Sequence, residues 1–234
     1  MLRSRLGKAV LVLLLLVVAA GAAGWWFFLR GDAPAKAALR TRPGNGQPAG
    51  AGTSQSADGS WKVRVDNPDQ VFAGYRIQEI FGGETVKKTA AGRTSAVTGS
   101  FVVKGRQVTA GTVTVDVTKL ESDRTARDEI IRNRGLESSK FPTATFQLSG
   151  PVTLSAAPAR GRLVKATLAG TLKLHGVSRP LRVPVEARWN GDTIDVQGSA
   201  PVQLRDYGIE VLNLPIVKID DRGTFEFQLT FVRS

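Results

Sequence analysis

Residues 163–189 read LVKATLAGTLKLHGVSRPLRVPVEARW. From 164 to 174 the even positions carry Val, Ala, Leu, Gly, Leu and Leu, and between them stand Lys165, Thr167, Ala169, Thr171 and Lys173. Successive side chains of a strand point to opposite faces, so this alternation predicts a half-buried strand. After His175-Gly176-Val177-Ser178-Arg179 the alternation resumes as Leu181, Val183, Val185, Ala187 and Trp189, with Arg182, Pro184, Glu186 and Arg188 opposite. The stretch is a long hairpin with one dry face, one wet face and the chain's only histidine at its turn. Pro184 cannot donate to a ladder, and a local bulge is expected around it.

The same two-residue period recurs on both sides. Strands are expected at 61–65 and 71–79, separated by Asp66-Asn67-Pro68-Asp69, then at 94–104, 107–117, 143–149, 193–204 and 223–232. The polar stretch 84–92 is expected to be a loop. One helix of about ten residues interrupts the strands. Thr125 and Asp128 have capping-box spacing, Arg132 and Arg134 fall in its last turn, and Gly135 follows its end.

Eight or so antiparallel strands need a common interior, which a closed barrel or a two-sheet sandwich supplies. Strand length and the single short helix favour the barrel. Parity assigns fourteen larger residues to its lining: Tyr75, Ile77, Phe101, Val113, Val115, Phe146, Leu168, Leu172, Val183, Val185, Ile194, Val196, Phe225 and Phe227. The small residues Ala73, Ala144, Ala166, Gly170, Ala187 and Gly198 fall among them, and no charge is expected to point inward. Such a barrel can fill with side chains or hold one ligand. The pattern by itself favours a packed core, and the small residues keep a cavity in play.

The chain has 234 residues, no cysteine and a formal net charge of +12. Disulfides and cysteine chemistry are excluded, and one histidine rules out a metal site built on several. Arg3, Arg5 and Lys8 precede an uncharged run from 9 to 29. As a helix this run would be roughly 30 Å long, enough to cross a bilayer. A cleaved signal peptide is the competing reading, since Ala20-Gly21-Ala22 resembles a cleavage site. Trp25, Trp26, Phe27 and Phe28 look instead like an interfacial belt, favouring an uncleaved anchor with the rest of the chain outside the cytoplasm.

Residues 31–60 are rich in Ala, Gly, Pro, Ser and Thr and are expected to be a flexible tether. The expected organisation is therefore an anchor at 1–30, a linker at 31–60 and a barrel at 61–234. Residues 1–60 carry +5, so the barrel carries +7 and is only moderately basic. Its basic residues alternate with acids, and its phenylalanines fall on the inner face, which argues against nucleic acid. No phosphate-binding glycine loop opens a helix. His175 reads as a turn residue whose ring bonds a backbone group. Asp206-Tyr207-Gly208 and Arg127-Asp128 add acid and base types without a nucleophile, so no enzyme, cofactor or metal is expected.

GYRIQE (74–79), GRTSAVTGSFVVKG (92–105), LESDRTARDEII (120–131), FPTATF (141–146), GTLKLHGVSRPLRVPVEA (170–187) and RDYGIE (205–210), in this order, resemble the YceI-like family of lipocalin-like, polyisoprenoid-binding proteins. The resemblance implies an eight-stranded antiparallel lipocalin-like barrel, with a helix packed on it and a long isoprenoid chain in an apolar tunnel. It would make the alternating face the tunnel wall, and it assigns structural roles to most of Arg127, Asp128, Pro142, His175, Gly176 and Pro180. Arg127, His175, Arg179 and Arg182 are the candidates for contacts to a polar head. One departure stands out: many members carry a histidine pattern in the first two strands, where this chain has Tyr75, Arg76 and Gln78. The expected function is a membrane-tethered, extracytoplasmic lipid-binding module on a single-pass anchor. The alternative is a packed barrel that docks an envelope partner through its outer surface.

Overall fold

A computed structural model describes residues 33–39, 56–81, 87–211 and 217–234. The expected anchor at 9–29 lies outside them, and among the described residues no helix is long and apolar enough to cross a membrane. The chain divides into two units, Met1–Ala33 and Pro34–Ser234. The second unit carries every strand found among the described residues.

The hairpin forms as its alternation predicts, as β9 (Leu163–Leu174) and β10 (Val177–Trp189), paired without a register break, with β10 beginning inside the break expected over 175–179. Only His175 and Gly176 lie between them, and both have positive φ, 50° and 76°. That is the two-residue turn whose twist suits a hairpin, and Gly176 occupies the position where a side chain would be strained. No bulge forms at Pro184, which pairs with Thr167. Pro180 and Pro184 share parity, so their missing N–H groups face the same side. Unbroken pairing with β9 turns that side toward β11 (Thr193–Gln203), and β10 pairs with β11 only from Val185 onward. The prolines sit where no donor is required, and the walls diverge there.

The other strands are β1 (Gly59–Val63), β2 (Phe72–Phe81), β3 (Lys88–Thr94), β4 (Val97–Lys104), β5 (Gln107–Asp116), β6 (Glu121–Ser122), β7 (Thr143–Leu148), β8 (Val152–Thr153) and β12 (Val217–Arg233). These twelve segments form one sheet. β1 and β2 both pair with β12, β4 and β3 pair with β1 and β2, and β5 and β6 pair with β4 and β3. β7 and β8 then both pair with β5. Each such couple acts as one broken stave, so the twelve segments make eight antiparallel staves in chain order, closed by β12 against β1 and β2. The eight-stranded barrel stands.

Three local expectations are corrected. Residues 88–92 of the expected loop belong to strand β3, because pairing with β2 and β6 supplies what the polar sequence does not advertise. The helix α1 (Thr125–Ile130) continues as a π-turn over Ile131–Gly135, and its N-cap is Arg124, so Thr125 caps nothing. Asp128 instead accepts the Ser122 N–H at 2.9 Å. The expected linker also contributes structure: Ala57 is buried in the core, β1 begins at Gly59, and residues 34–38 lie against the outer wall.

Candidate functional site

The interior of the barrel is an elongated cavity. Twelve of the fourteen expected lining residues surround it, from Phe101 on β4 to Phe227 on β12. Tyr75 and Ile77 do not, although they share the inward parity of β2; Tyr75 packs with Val117, Leu120 and Ala144 near α1. Val164, Trp189 and Phe231, which the alternation places on the inner face without naming them among the lining, also border the cavity, as does Leu229 of the same parity. Sequence reasoning missed Leu154 and Pro158, which come from an aperiodic loop carrying no strand signal.

Among the described residues no charged one lines the space, and the hydroxyl-bearing residues that border it, Ser100 and Thr112, have the parity opposite to the inward Phe101 and Val113. The cavity has a volume of about 130 Å³. A site for a single water needs only about 10–15 Å³. On β9 the lining runs from Val164 to Leu172, roughly 27 Å of strand at about 3.4 Å per residue. The interior is therefore not packed solid, contrary to what the pattern by itself favours. Parity fixes which residues face inward but not whether opposing walls meet.

The degree of burial of the lining is informative. Val183, Leu229 and Phe231 are fully buried, while Phe101, Val113, Phe146, Leu168, Ala187 and Phe225 also face inward yet are only partly covered. Their open surface belongs to the cavity wall. The small residues do not all enlarge it. A side chain at Gly170 would run into the Phe146 ring, and one at Gly198 would meet the Phe227 ring at 2.7 Å. These two glycines seat aromatic rings, whereas Ala144, Ala166 and Ala187 face the space itself.

The expectation that no charge points inward fails at the α1 end. Glu79 shares the parity of Tyr75 and Ile77, is buried, and accepts from Arg127 Nε at 3.1 Å and Nη2 at 3.0 Å. Asp123 pairs with the same guanidinium. Burial works against the charge on Arg127, but Glu79 and Asp123 outweigh it and its pKa is raised. The Tyr75 hydroxyl beside this cluster has no hydrogen-bond partner among the described residues. Its pKa is pushed well above the phenol range, first by burial, then by Asp128, Glu79 and Asp123 against the opposing Arg127.

None of the four head-group candidates lines the cavity. Arg127 is held as described. His175 Nδ1 lies 3.0 Å from the Tyr207 carbonyl and Nε2 lies 3.3 Å from Glu137, with the ring edge-on to Phe141. Arg179 donates to the Asp206 carbonyl at 3.1 Å, and Arg182 is exposed on β10. Where β10 and β11 diverge, Leu172, Val202, Tyr207 and Ile209 close the wall as a second small core. Among the described residues no three His, Asp or Glu groups are gathered as metal ligands.

A closed meander of eight staves around one apolar cavity defines the lipocalin-like class of barrel. The chain belongs to the YceI-like domain family, whose model matches residues 65–231. A UPF0312 protein of Pseudomonas aeruginosa is 27% identical over 171 residues, covering 69% of this chain and 81% of its own. One from Vibrio cholerae is 29% identical over 130 residues, 52% of this chain, and the match spans 65% of that relative's length. Among solved structures, a polyisoprenoid binding domain from Saccharophagus degradans, implicated in plant cell wall breakdown, superposes with a TM-score of 0.55. It is 17% identical and the match covers 74% of this chain and 98% of that one. Burkholderia cenocepacia BcnA superposes with a TM-score of 0.50 at 17% identity, covering 67% and 95%. At these identities the superpositions speak for the fold.

Proposed function

We propose that the barrel holds one long apolar chain, a polyisoprenoid or a lipid tail of similar length, and that it does so outside the cytoplasm on a single-pass anchor at residues 9–29. The observation that carries the reading is the elongated cavity, bounded by inward side chains that cover one another only partly and by no charge. The solved neighbour described as a polyisoprenoid binding domain supports the choice of ligand class. The uncharged run between Arg3, Arg5, Lys8 and Arg30 supports the anchor. The module is a binder and not an enzyme.

Burial alone suffices for affinity. Each methylene removed from water contributes about 0.8 kcal/mol, so ten supply on the order of 8 kcal/mol before the costs of association. Arg127, His175 and Arg179 are already engaged with protein groups, so the tail, not the head, supplies the binding energy.

Native mass spectrometry of the full chain purified from its host tests this directly. A bound species of lipid mass is expected, and Ala166→Trp with Ala187→Trp, which fill the lining, should abolish it while the barrel stays folded. A chain that is consistently empty, and whose melting temperature ignores added prenyl lipid, would overturn the reading in favour of a docking module.

A further inference from the structure

On the outer wall, away from the cavity, a cluster of side chains is arranged around a piece of the chain's own backbone. Phe72 and Arg76 project from β2, Arg93 from β3, and Glu226 and Gln228 from β12, all at parities opposite to the lining. Glu226 is 2% exposed and Arg76 9%. Glu226 Oε2 accepts from Arg76 Nε at 2.7 Å and Oε1 from Arg93 Nη2 at 2.8 Å. The Arg93 guanidinium lies 3.9 Å above the Phe72 ring, which fixes its orientation.

The outward-facing side of this cluster is taken up by residues 34–38. Arg76 Nη2 donates to the carbonyls of Pro34 and Ala35, the second at 2.8 Å, and Arg93 Nη2 donates to Ala35 as well. In return the Ala37 N–H donates to Glu226 at 3.3 Å and the Ala38 N–H to Gln228 Oε1 at 3.0 Å. Gln228 is itself oriented by donating to the Gln70 carbonyl at 2.8 Å. Burial works against the charge on Glu226, yet the bonds from Arg76, Arg93 and the Ala37 N–H hold its carboxyl below the usual range.

A charge on an outer strand face is ordinarily left in water, because desolvating it costs several kcal/mol. Here two cations share one carboxylate, and the surplus donors are matched to successive carbonyls of an extended segment. Every one of these bonds to the segment is to its main chain. Its side chains are small apart from the exposed Lys36, so the backbone can come close. The cluster is therefore shaped to read an extended, small-residue backbone and not a particular side chain.

We propose that Arg76, Arg93, Glu226 and Gln228 form a docking site whose occupant is the chain's own Pro34–Ala38 segment. The site is a latch: the chain departs from the barrel at the β2–β3–β12 wall and not at the start of β1. The segment that precedes the barrel is thereby held on one of the barrel's own walls.

The test is amide exchange on the full chain, comparing Ala37 and Ala38 with the same residues in a free peptide spanning 31–42. Bonds to charged groups are worth about 1.5–3 kcal/mol, so protection of about tenfold or more is expected. Arg93→Ala should remove it. Ala38→Pro deletes one donor from the segment without touching the barrel, and should remove it at Ala37. Exchange in the native chain as fast as in the peptide overturns the proposal, as does protection that survives both variants. Protection that disappears on dilution would give the site to a second copy's segment and overturn the latch.

Discussion

Arg127 reaches from α1 to Glu79, a carboxylate that strand parity turns inward. Removing one member of a buried pair leaves the other uncompensated, at a cost of about 3–5 kcal/mol, while replacing both with apolar groups can be neutral. Arg127→Met is expected to lower the unfolding free energy by about 3 kcal/mol, and adding Glu79→Leu should recover most of it; denaturant titration measures both. Gly198 and Gly170 are fixed by rings and not by turns. Gly198→Val drives a side chain into Phe227 and should cost about 1–3 kcal/mol, read as a drop in melting temperature. Glu226 bears on the acid limb of stability. Its carboxyl pKa is lowered on folding, so its contribution is fully present above the unfolded carboxylate range and is lost as pH falls through the folded value. Glu226→Gln should therefore flatten the decline in melting temperature between about pH 6 and pH 3.

At the scale of elements, the two strands of the hairpin were legible from their alternation, but the turn was not: the break expected over 175–179 is only His175 and Gly176, and Val177, Ser178 and Arg179 already pair with β9. β3 was not legible, because KTAAGRT has no large apolar residue; its strand character comes from its neighbours. Pro184 misled in the other direction. A proline argues for a bulge only if both sides of its strand are paired, and pairing on the β11 side begins one residue later. The cavity lining was legible as a face and illegible as a volume, since parity carries no information about the distance between walls. The latch was hidden for a related reason: an Ala- and Pro-containing segment reads as a tether until its backbone finds donors far away in sequence. The start of the barrel shows the same effect. The Ala57 carbonyl accepts the Trp61 indole N–H at 2.8 Å, and the Asp58 carbonyl accepts from Arg233 at 2.8 Å. A chain begun at Trp61 should be less stable than one begun at Ser56 by about 1–3 kcal/mol, measurable by urea unfolding.

For the molecule as a whole, an uncharged lining makes a prediction about conditions. Retention of the bound tail should change little between about 0.05 and 0.5 M salt, since screening acts on charges, and added ligand should raise the melting temperature in step with its free concentration. Loss of ligand in the higher salt would place the binding energy in a head-group clamp instead. The order of the staves has a further consequence, in time. Seven of the eight seams join staves that are neighbours along the chain, but the eighth, with Trp61 opposite Arg233, joins the first to the last. A ribosome delivers about 5–20 residues per second, so this seam must stay open for roughly ten to thirty seconds after the first stave emerges. Until β12 is made, the first stave lacks its partner on one edge and the apolar face cannot be enclosed, and β12 supplies the pairing for β1, β2 and β11 at once.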